Sequence, residues 1–387
     1  MSSSIEQALV LDIGSFTIKM GTTTTTSDET RRENPIVVRN TIRKPTIGST
    51  ICIPGIKAIS HMNVVRSHEM PTGLCSMTFP VQRGKIVDSD GLGRLLDRAY
   101  EEDLGITEKD RPNGALLSTP VEGSINDRRW LLKYHFETLS FDAVALMDRG
   151  TMVMYSIGAT AGCSLNVGHG LTQILPMYHG TPIAEGIRSI QRAGQDMESF
   201  LLRLLKKEGQ HLSARGDASV VRRVKESATA VALNFEEEFQ KSIESPTTHR
   251  LPDGSTIELS ASRVMAPEML FRPEIAGHEV HGPGVHDAFL SACRSCPVDV
   301  RSHLLKQVVL TGGTTKLSGF IERFEKEIKR LLNDRSEVSI VRDGGSVYRG
   351  GQIAASSILS NRWCSKSAYE EEGADRYIKR ITSNTTV

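Results

Sequence analysis

Residues 8–21 read ALVLDIGSFTIKMG, and this stretch decides the fold. Ala8 to Ile13 is apolar apart from Asp12, which is the composition of a short strand covered on both faces. Gly14-Ser15 then marks a tight turn, and Phe16 to Met20 reads as a second strand returning beside the first. The pattern recurs downstream. Leu165-Asn166-Val167-Gly168-His169-Gly170 repeats Leu11-Asp12-Ile13-Gly14-Ser15 as apolar residue, carboxylate or amide, apolar residue, glycine and polar residue. Cys163–Val167 and Leu171–Met177 accordingly read as a second hairpin. A duplicated domain sets two such turns opposite each other, and backbone N–H groups facing from both sides clamp a phosphate chain. Lys19 adds a point charge beside the first turn. A third turn, Thr311-Gly312-Gly313-Thr314-Thr315, follows the apolar run Val308–Leu310. Each turn alone is an ordinary hairpin or loop signal. Three in this order are a more specific one.

Outward from these turns the chain alternates strands and helices, which favours α/β architecture. Leu116–Pro120 reads as a strand. Asp90–Glu102 reads as a helix, and Asn126 reads as the cap of another that runs through Leu139. Gln195–Glu208 is amphipathic with Lys206-Lys207 at its C-terminal end, Val220–Ile243 carries helix formers, and Phe320–Leu332 shows an apolar stripe. On that last helix, Glu322–Lys326 and Glu325–Lys329 stand at pairing distance. Residues 34–79, with four prolines and short β-branched patches, read as a small irregular insert.

Composition narrows the function. The 387 residues carry 47 Lys+Arg against 46 Asp+Glu, a net charge of +1, which argues against nucleic-acid binding. The most apolar stretch, Met152–Leu165, is broken by Ser, Gly and Thr and is too short for a membrane span. The first residues, MSSSIEQ, have no basic or apolar leader region. Six cysteines in this length do not make a disulfide scaffold, so a reducing cytoplasmic setting is the expectation.

The ordered motifs LDIGSFTIKMG (11–21), FPVQRGKIVD (79–88), FETL (136–139), PMYHG (176–180), AGQD (193–196) and VRRVKESATAVAL (221–233) resemble the actin and actin-related protein family. So do LPDGSTIEL (251–259), APEMLFRPEI (266–275), VLTGGTTKLSGF (309–320), YRGGQIAAS (348–356) and SKSAYEEEGA (365–374). Within the family, LPDGSTIEL, APEMLFRP, FLLRLLKKEG (200–209) and the tail are most similar to centractin, the actin-related protein of dynactin. The resemblance implies an actin fold, with two RNase H-like α/β domains around a nucleotide cleft, each split in two. It places the first subdomain at 1–33, 80–156 and 346–387, the second at 34–79, the third at 157–192 and 281–345, and the fourth at 193–280.

By motif matching, Asp12 is the aspartate that approaches the magnesium hydration shell, and Gly14, Ser15 and Lys19 form the first phosphate turn. Gly168, His169 and Gly170 stand at the second. Arg222, Lys225 and Glu226 border adenine and ribose, and Gly312 and Gly313 underlie the nucleoside and α-phosphate. The departures fall where the chemistry occurs. The second-turn motif Asp-Ser-Gly-Asp-Gly is here Asn166-Val167-Gly168-His169-Gly170, so both carboxylates are gone. Arg149 stands for the glutamine that orients the attacking water, Gln173 for a histidine, Phe16 for a glycine and Leu317 for a tyrosine beside adenine. Arginine has donors and no acceptor, so it does not orient water as glutamine does. One lost transition-state contact costs about 3–4 kcal/mol, and several are lost here together.

These departures imply no catalytic residues, ATP or ADP as ligand with Arg149 and His169 neutralising its phosphates directly, and no firm magnesium site beyond Asp12 acting through water. The expected role is a structural subunit of a cytoskeletal or motor-associated assembly, dynactin-type or axonemal, whose partners are actin-like or motor-complex proteins. Two alternatives stand: a polymerising ATPase, separated by phosphate release, and a nuclear chromatin-remodelling subunit, separated by its partners. The series His278, His281, His286, Cys293, Cys296 has metal-binding residue types, but Asp287–Cys296 reads as a helix that spreads the thiols over different faces. Loop 275–284 is polar and stiff compared with an apolar plug between filament strands. Residues 375–387 extend past the usual family end and read as a partner tail or a loose one.

Overall fold

The structure is a computed structural model of the chain. It describes residues 5, 7–23, 36–39, 42–45, 75–106, 110–210, 217–251, 254–277, 280–333, 336–342, 345–359 and 362–383. The chain divides into two compact units, residues 1–158 with 346–387, and residues 159–345.

In the first unit the Ala8–Ile13 strand is buried along its whole length. It pairs antiparallel with Thr17–Thr22, which sets Asp12 opposite Lys19, and parallel with Gly114–Thr119. The full sheet runs Cys364–Ser365, Ala143–Asp148, Gly114–Thr119, Ala8–Ile13, Thr17–Thr22, Ile36–Arg39. Leu92 and Leu96 from the Ser89–Arg98 helix, with Leu132 and Phe136, close one apolar cluster over Leu9, Leu11, Leu117 and Val144. Two helices, Arg149–Ser156 and Val347–Ile353, cross at minimal separation. A Cβ on Gly350 would stand 1.6 Å from the Met152 carbonyl oxygen, so glycine is obligatory there.

The second unit repeats the plan. Gly162–Val167 pairs antiparallel with Thr172–Tyr178 and parallel with Val308–Thr311, which places Asn166 beside Gln173 and Thr311. The order is Thr181–Pro182, Thr172–Tyr178, Gly162–Val167, Val308–Thr311, Ile340–Val341. The echo between residues 11–15 and 165–170 is therefore a structural one.

Four local expectations change. The cap of the Ile125–Lys133 helix is Ser124, whose Oγ accepts from the Asn126 N–H at 3.2 Å; Asn126 lies in the first turn. The helix expected over 220–243 is two, Asp217–Ala228 and Phe235–Glu244. Between them Val231 donates its N–H to the Ser318 carbonyl at 2.8 Å, a tertiary strand-like contact that outweighs helical propensity. On the Phe320–Leu331 helix, Lys329 pairs with Glu325 at 2.8 Å as expected, but Glu322 pairs with Arg342 and Lys326 donates to the Leu233 carbonyl. Residues 375–383 are not a loose tail. They end the Lys366–Ser383 helix, which bends at Gly373, and Tyr377 and Ile378 are buried. The Tyr377 hydroxyl accepts the Leu146 N–H and donates to the Arg362 carbonyl. The expectations for 46–74 and for His278 lie outside the described residues.

His135 titrates with the fold. It is fully buried, with Nδ1 at 2.8 Å from the Leu131 carbonyl and Nε2 at 3.1 Å from the Tyr100 hydroxyl. A carbonyl only accepts, so Nδ1 carries a proton. Burial lowers its pKa to about 4. The unfolded chain takes up a second ring proton near pH 6.5, and the folded one only near its lowered value. Stability is therefore expected to fall as pH drops from about 6.5 to about 4, by up to about 3 kcal/mol from this residue. Urea midpoints across that range test it, and an unchanged slope in His135→Gln would contradict it.

Candidate functional site

In the first unit the turn after Asp12 is closed by the Gly14 N–H donating to the Thr17 carbonyl at 2.9 Å. A Cβ on Gly14 would lie 2.6 Å from that oxygen. The Ser15 hydroxyl accepts the Gly84 N–H at 3.1 Å, tying the turn to residues 83–84. Lys19 is half-buried on the returning strand and has no ion pair among the described residues.

Arg149 decides the chemistry of this turn. Asp148 caps its helix, accepting from the Thr151 N–H at 2.7 Å, so Arg149 occupies the first helical turn. The positive end of a helix disfavours a cation, and Asp12 offsets it. Arg149 Nε donates to Asp12 Oδ1 at 3.0 Å, and an Nη donates to the Ile13 carbonyl. Ser118 donates to the same carboxylate oxygen at 2.7 Å. Both charged side chains are only 10% exposed. The aspartate expected to face magnesium is thus neutralised internally. The arginine expected to meet phosphate is committed to it.

In the second unit, Gly168 donates its N–H to the Leu171 carbonyl at 3.0 Å. The turn's own carbonyls are taken as well. The first N–H groups of the Gly194–Lys207 helix, on Gly194 and Gln195, donate to the Gly168 and His169 carbonyls at 3.0 and 2.7 Å. Thr314 Oγ1 adds a bond to Gly168 O at 2.8 Å. Gly312 has φ +95°, and a Cβ there would strike the Val167 carbonyl at 2.3 Å, so the third glycine loop packs directly on the second turn. Asn166, Gly168, His169, Gly170, Gln173, Gly312 and Gly313 are brought together around one end of this sheet. Gln173 is buried there, and its amide nitrogen has no partner among the described residues. Leu317 is buried in the core of this unit.

A residue that sequence reasoning missed organises the rest. Glu198 accepts from Arg222 Nε and Nη2 at 3.0 Å each and from Lys225 Nζ at 2.7 Å, and its carboxylate lies 3.7 Å from His169 Nδ1. Its side chain is 11% exposed and that of Lys225 only 7%. Burial pushes the Glu198 carboxyl up, but the Arg222 fork and Lys225 outweigh it and hold it below the ordinary value. Burial lowers the His169 pKa to about 4, so the imidazole is neutral at pH 7 and offers a hydrogen bond in place of the expected charge. Glu226, one residue on, is exposed. Nothing in residues 193–198 marks Glu198 over Asp196, which accepts the Ala193 N–H at the helix start.

The residues fit an adenine nucleotide better than they fit its metal. Taken unit by unit, Lys19 in the first and the Gln173 amide nitrogen in the second, which has no partner among the described residues, each suit a phosphate oxygen. Magnesium wants oxygen ligands and carboxylate charge, and the Asp12 charge is cancelled while the second turn has no carboxylate. Among the described residues no three His, Cys, Asp or Glu side chains are placed to hold a metal ion. The described members of the histidine and cysteine series do not form such a site. Cys293, in the Val285–Ser295 helix, and Cys296, the extended residue that follows it, are both buried, and Cys163 lies in hydrogen-bonding reach of Cys293. No helix among the described residues is long and apolar enough to cross a membrane. Compared with known protein families, the chain matches a family model described as Actin over residues 3–382.

Proposed function

The chain belongs to the actin family, and from that premise we propose that it is a structural subunit of a cytoskeletal or motor-associated assembly, binding ATP or ADP with little or no hydrolysis. Its partners on this reading are other actin-like or motor-complex proteins, in a dynactin-type filament or an axonemal complex in the cytoplasm. Each unit subdivides as the family pattern implies, with residues 34–79 as the partner-facing insert.

The Arg149–Asp12 ion pair carries this reading. A water-activating site needs an acceptor for the water proton and a charge to hold the metal. Arg149 supplies no acceptor, and its guanidinium cancels the charge that Asp12 would offer. Asn166 and neutral His169 supply neither at the second turn. Lys19, Gly14 and Ser15 in the first unit are assigned to the nucleotide, as are Gln173, Gly168, Gly312, Arg222 and Lys225 in the second. Its work is to be a bound wedge that stabilises the folded units by mass action.

Single-turnover phosphate release from γ-labelled ATP, with magnesium present, tests the reading. Release indistinguishable from the protein-free control is expected. Turnover proportional to protein concentration would instead support the polymerising-ATPase alternative. Affinity capture of the chain with motor-complex subunits tests the partner class.

A further inference from the structure

We propose that Glu198 is a built-in counter-anion that holds Arg222 and Lys225 in place of a ligand, so that nucleotide affinity is limited by the need to displace it. The inference rests on the nucleotide reading above. Both carboxylate oxygens are used, one by the Arg222 Nη2 and the other by Arg222 Nε and Lys225 together. All three side chains are 15% exposed or less, so the cluster is already desolvated. The Lys225 ammonium is packed against the start of the Gly194–Lys207 helix, 3.2 Å from where a Gly194 Cβ would lie. It therefore presents almost nothing to an incoming hydroxyl or phosphate oxygen. The Glu198 carboxylate is the acceptor these cations have selected, and a nucleotide competes with it.

The same arrangement has a consequence without ligand. Two cations left close together in a desolvated site repel, and a site of that kind needs its anion in order to stay folded. Glu198 removes that need. On this proposal the second unit does not depend on nucleotide to stay folded, although bound nucleotide still adds to its stability.

Calorimetric titration of ADP and ATP into the full chain, alongside thermal melts with and without nucleotide, tests this. Glu198→Gln keeps the size, removes the charge and exchanges one of the two accepting oxygens for an N–H donor, and is expected to bind ADP about tenfold more tightly. Its melting temperature without nucleotide falls and is restored by ADP, whereas the wild type, binding more weakly, shifts by a smaller amount at the same ADP concentration. Glu198→Asp keeps the charge one methylene short of both partners and is expected to tighten binding by a smaller factor. It decides the matter if Glu198→Gln does not fold. A merely structural role for Glu198 gives weaker binding in both variants. Unchanged or weaker binding in the variants, with the wild type binding, overturns the role of Glu198 and leaves the nucleotide reading standing. Absence of ADP and ATP binding by the wild type and both variants at millimolar nucleotide overturns that reading and this inference with it.

Discussion

Gly350→Ala is expected to leave the first unit unfolded. The added methyl would stand 1.6 Å from the Met152 carbonyl oxygen, 2.5 Å from its carbon and 3.1 Å from its Cα. All three are backbone atoms of the Arg149–Ser156 helix, so no side-chain rotation relieves the overlap. The two helices must separate, and separating them opens the apolar layer around Met152 and Val10, where Gly351 is also in tight contact. The cost exceeds about 5 kcal/mol, which is comparable with the whole stability of an ordinary domain. Gly105→Ala is the matched control: its φ is +63°, but nothing lies within 4 Å of the added Cβ. That change costs about 1–2 kcal/mol from backbone conformation alone. Soluble yield and near-ultraviolet circular dichroism separate the two, and a Gly350→Ala chain with a native spectrum would contradict the packing described.

The second large effect is at Arg149. Arg149→Leu keeps much of the buried volume and strands Asp12 as an unpaired carboxylate beside Ser118. Removing one partner of a buried pair costs about 3–5 kcal/mol, because the remaining charge is desolvated with nothing to balance it. Replacing both partners is far cheaper. Asp12→Asn with Arg149→Leu is therefore expected to recover most of the loss, giving a coupling of about 2–3 kcal/mol in a double-mutant cycle. Urea denaturation measures it. A single variant within about 0.5 kcal/mol of wild type, the range of ordinary surface changes, would show that the pair does not hold the turn.

The parts of the fold that were legible in the sequence were those encoded by continuous patterns. Ala8–Ile13 and Gly162–Val167 announce themselves as apolar runs ending in glycine turns, and the two hairpins they begin are present. The Phe320–Leu331 helix follows from its stripe. What was not legible depends on distant partners. The interruption between Ala228 and Phe235 is imposed by residue 318, which no local window contains. His169 looked like a cation for phosphate, and only its burial shows it to be neutral. Arg149 was readable as a lost water-orienting residue, but its bond to Asp12 requires the Ala8–Ile13 and Ala143–Asp148 strands to lie on either side of Gly114–Thr119. Glu198 was invisible for the same reason. Its meaning depends on one helix packing on another that begins some twenty residues later.

The buried tyrosine near the carboxyl end gives that end a mechanical role. Tyr377 holds the Leu146 amide, Leu146 lies two residues before the Asp148 cap, and the cap seats Arg149 against Asp12. A pull on the final helix, by a bound protein or a fused domain, is delivered along that strand to the root of the arginine. The last described turns are a handle on the turn that follows Asp12, and whatever grips them has leverage over whether the Asp12 charge stays covered.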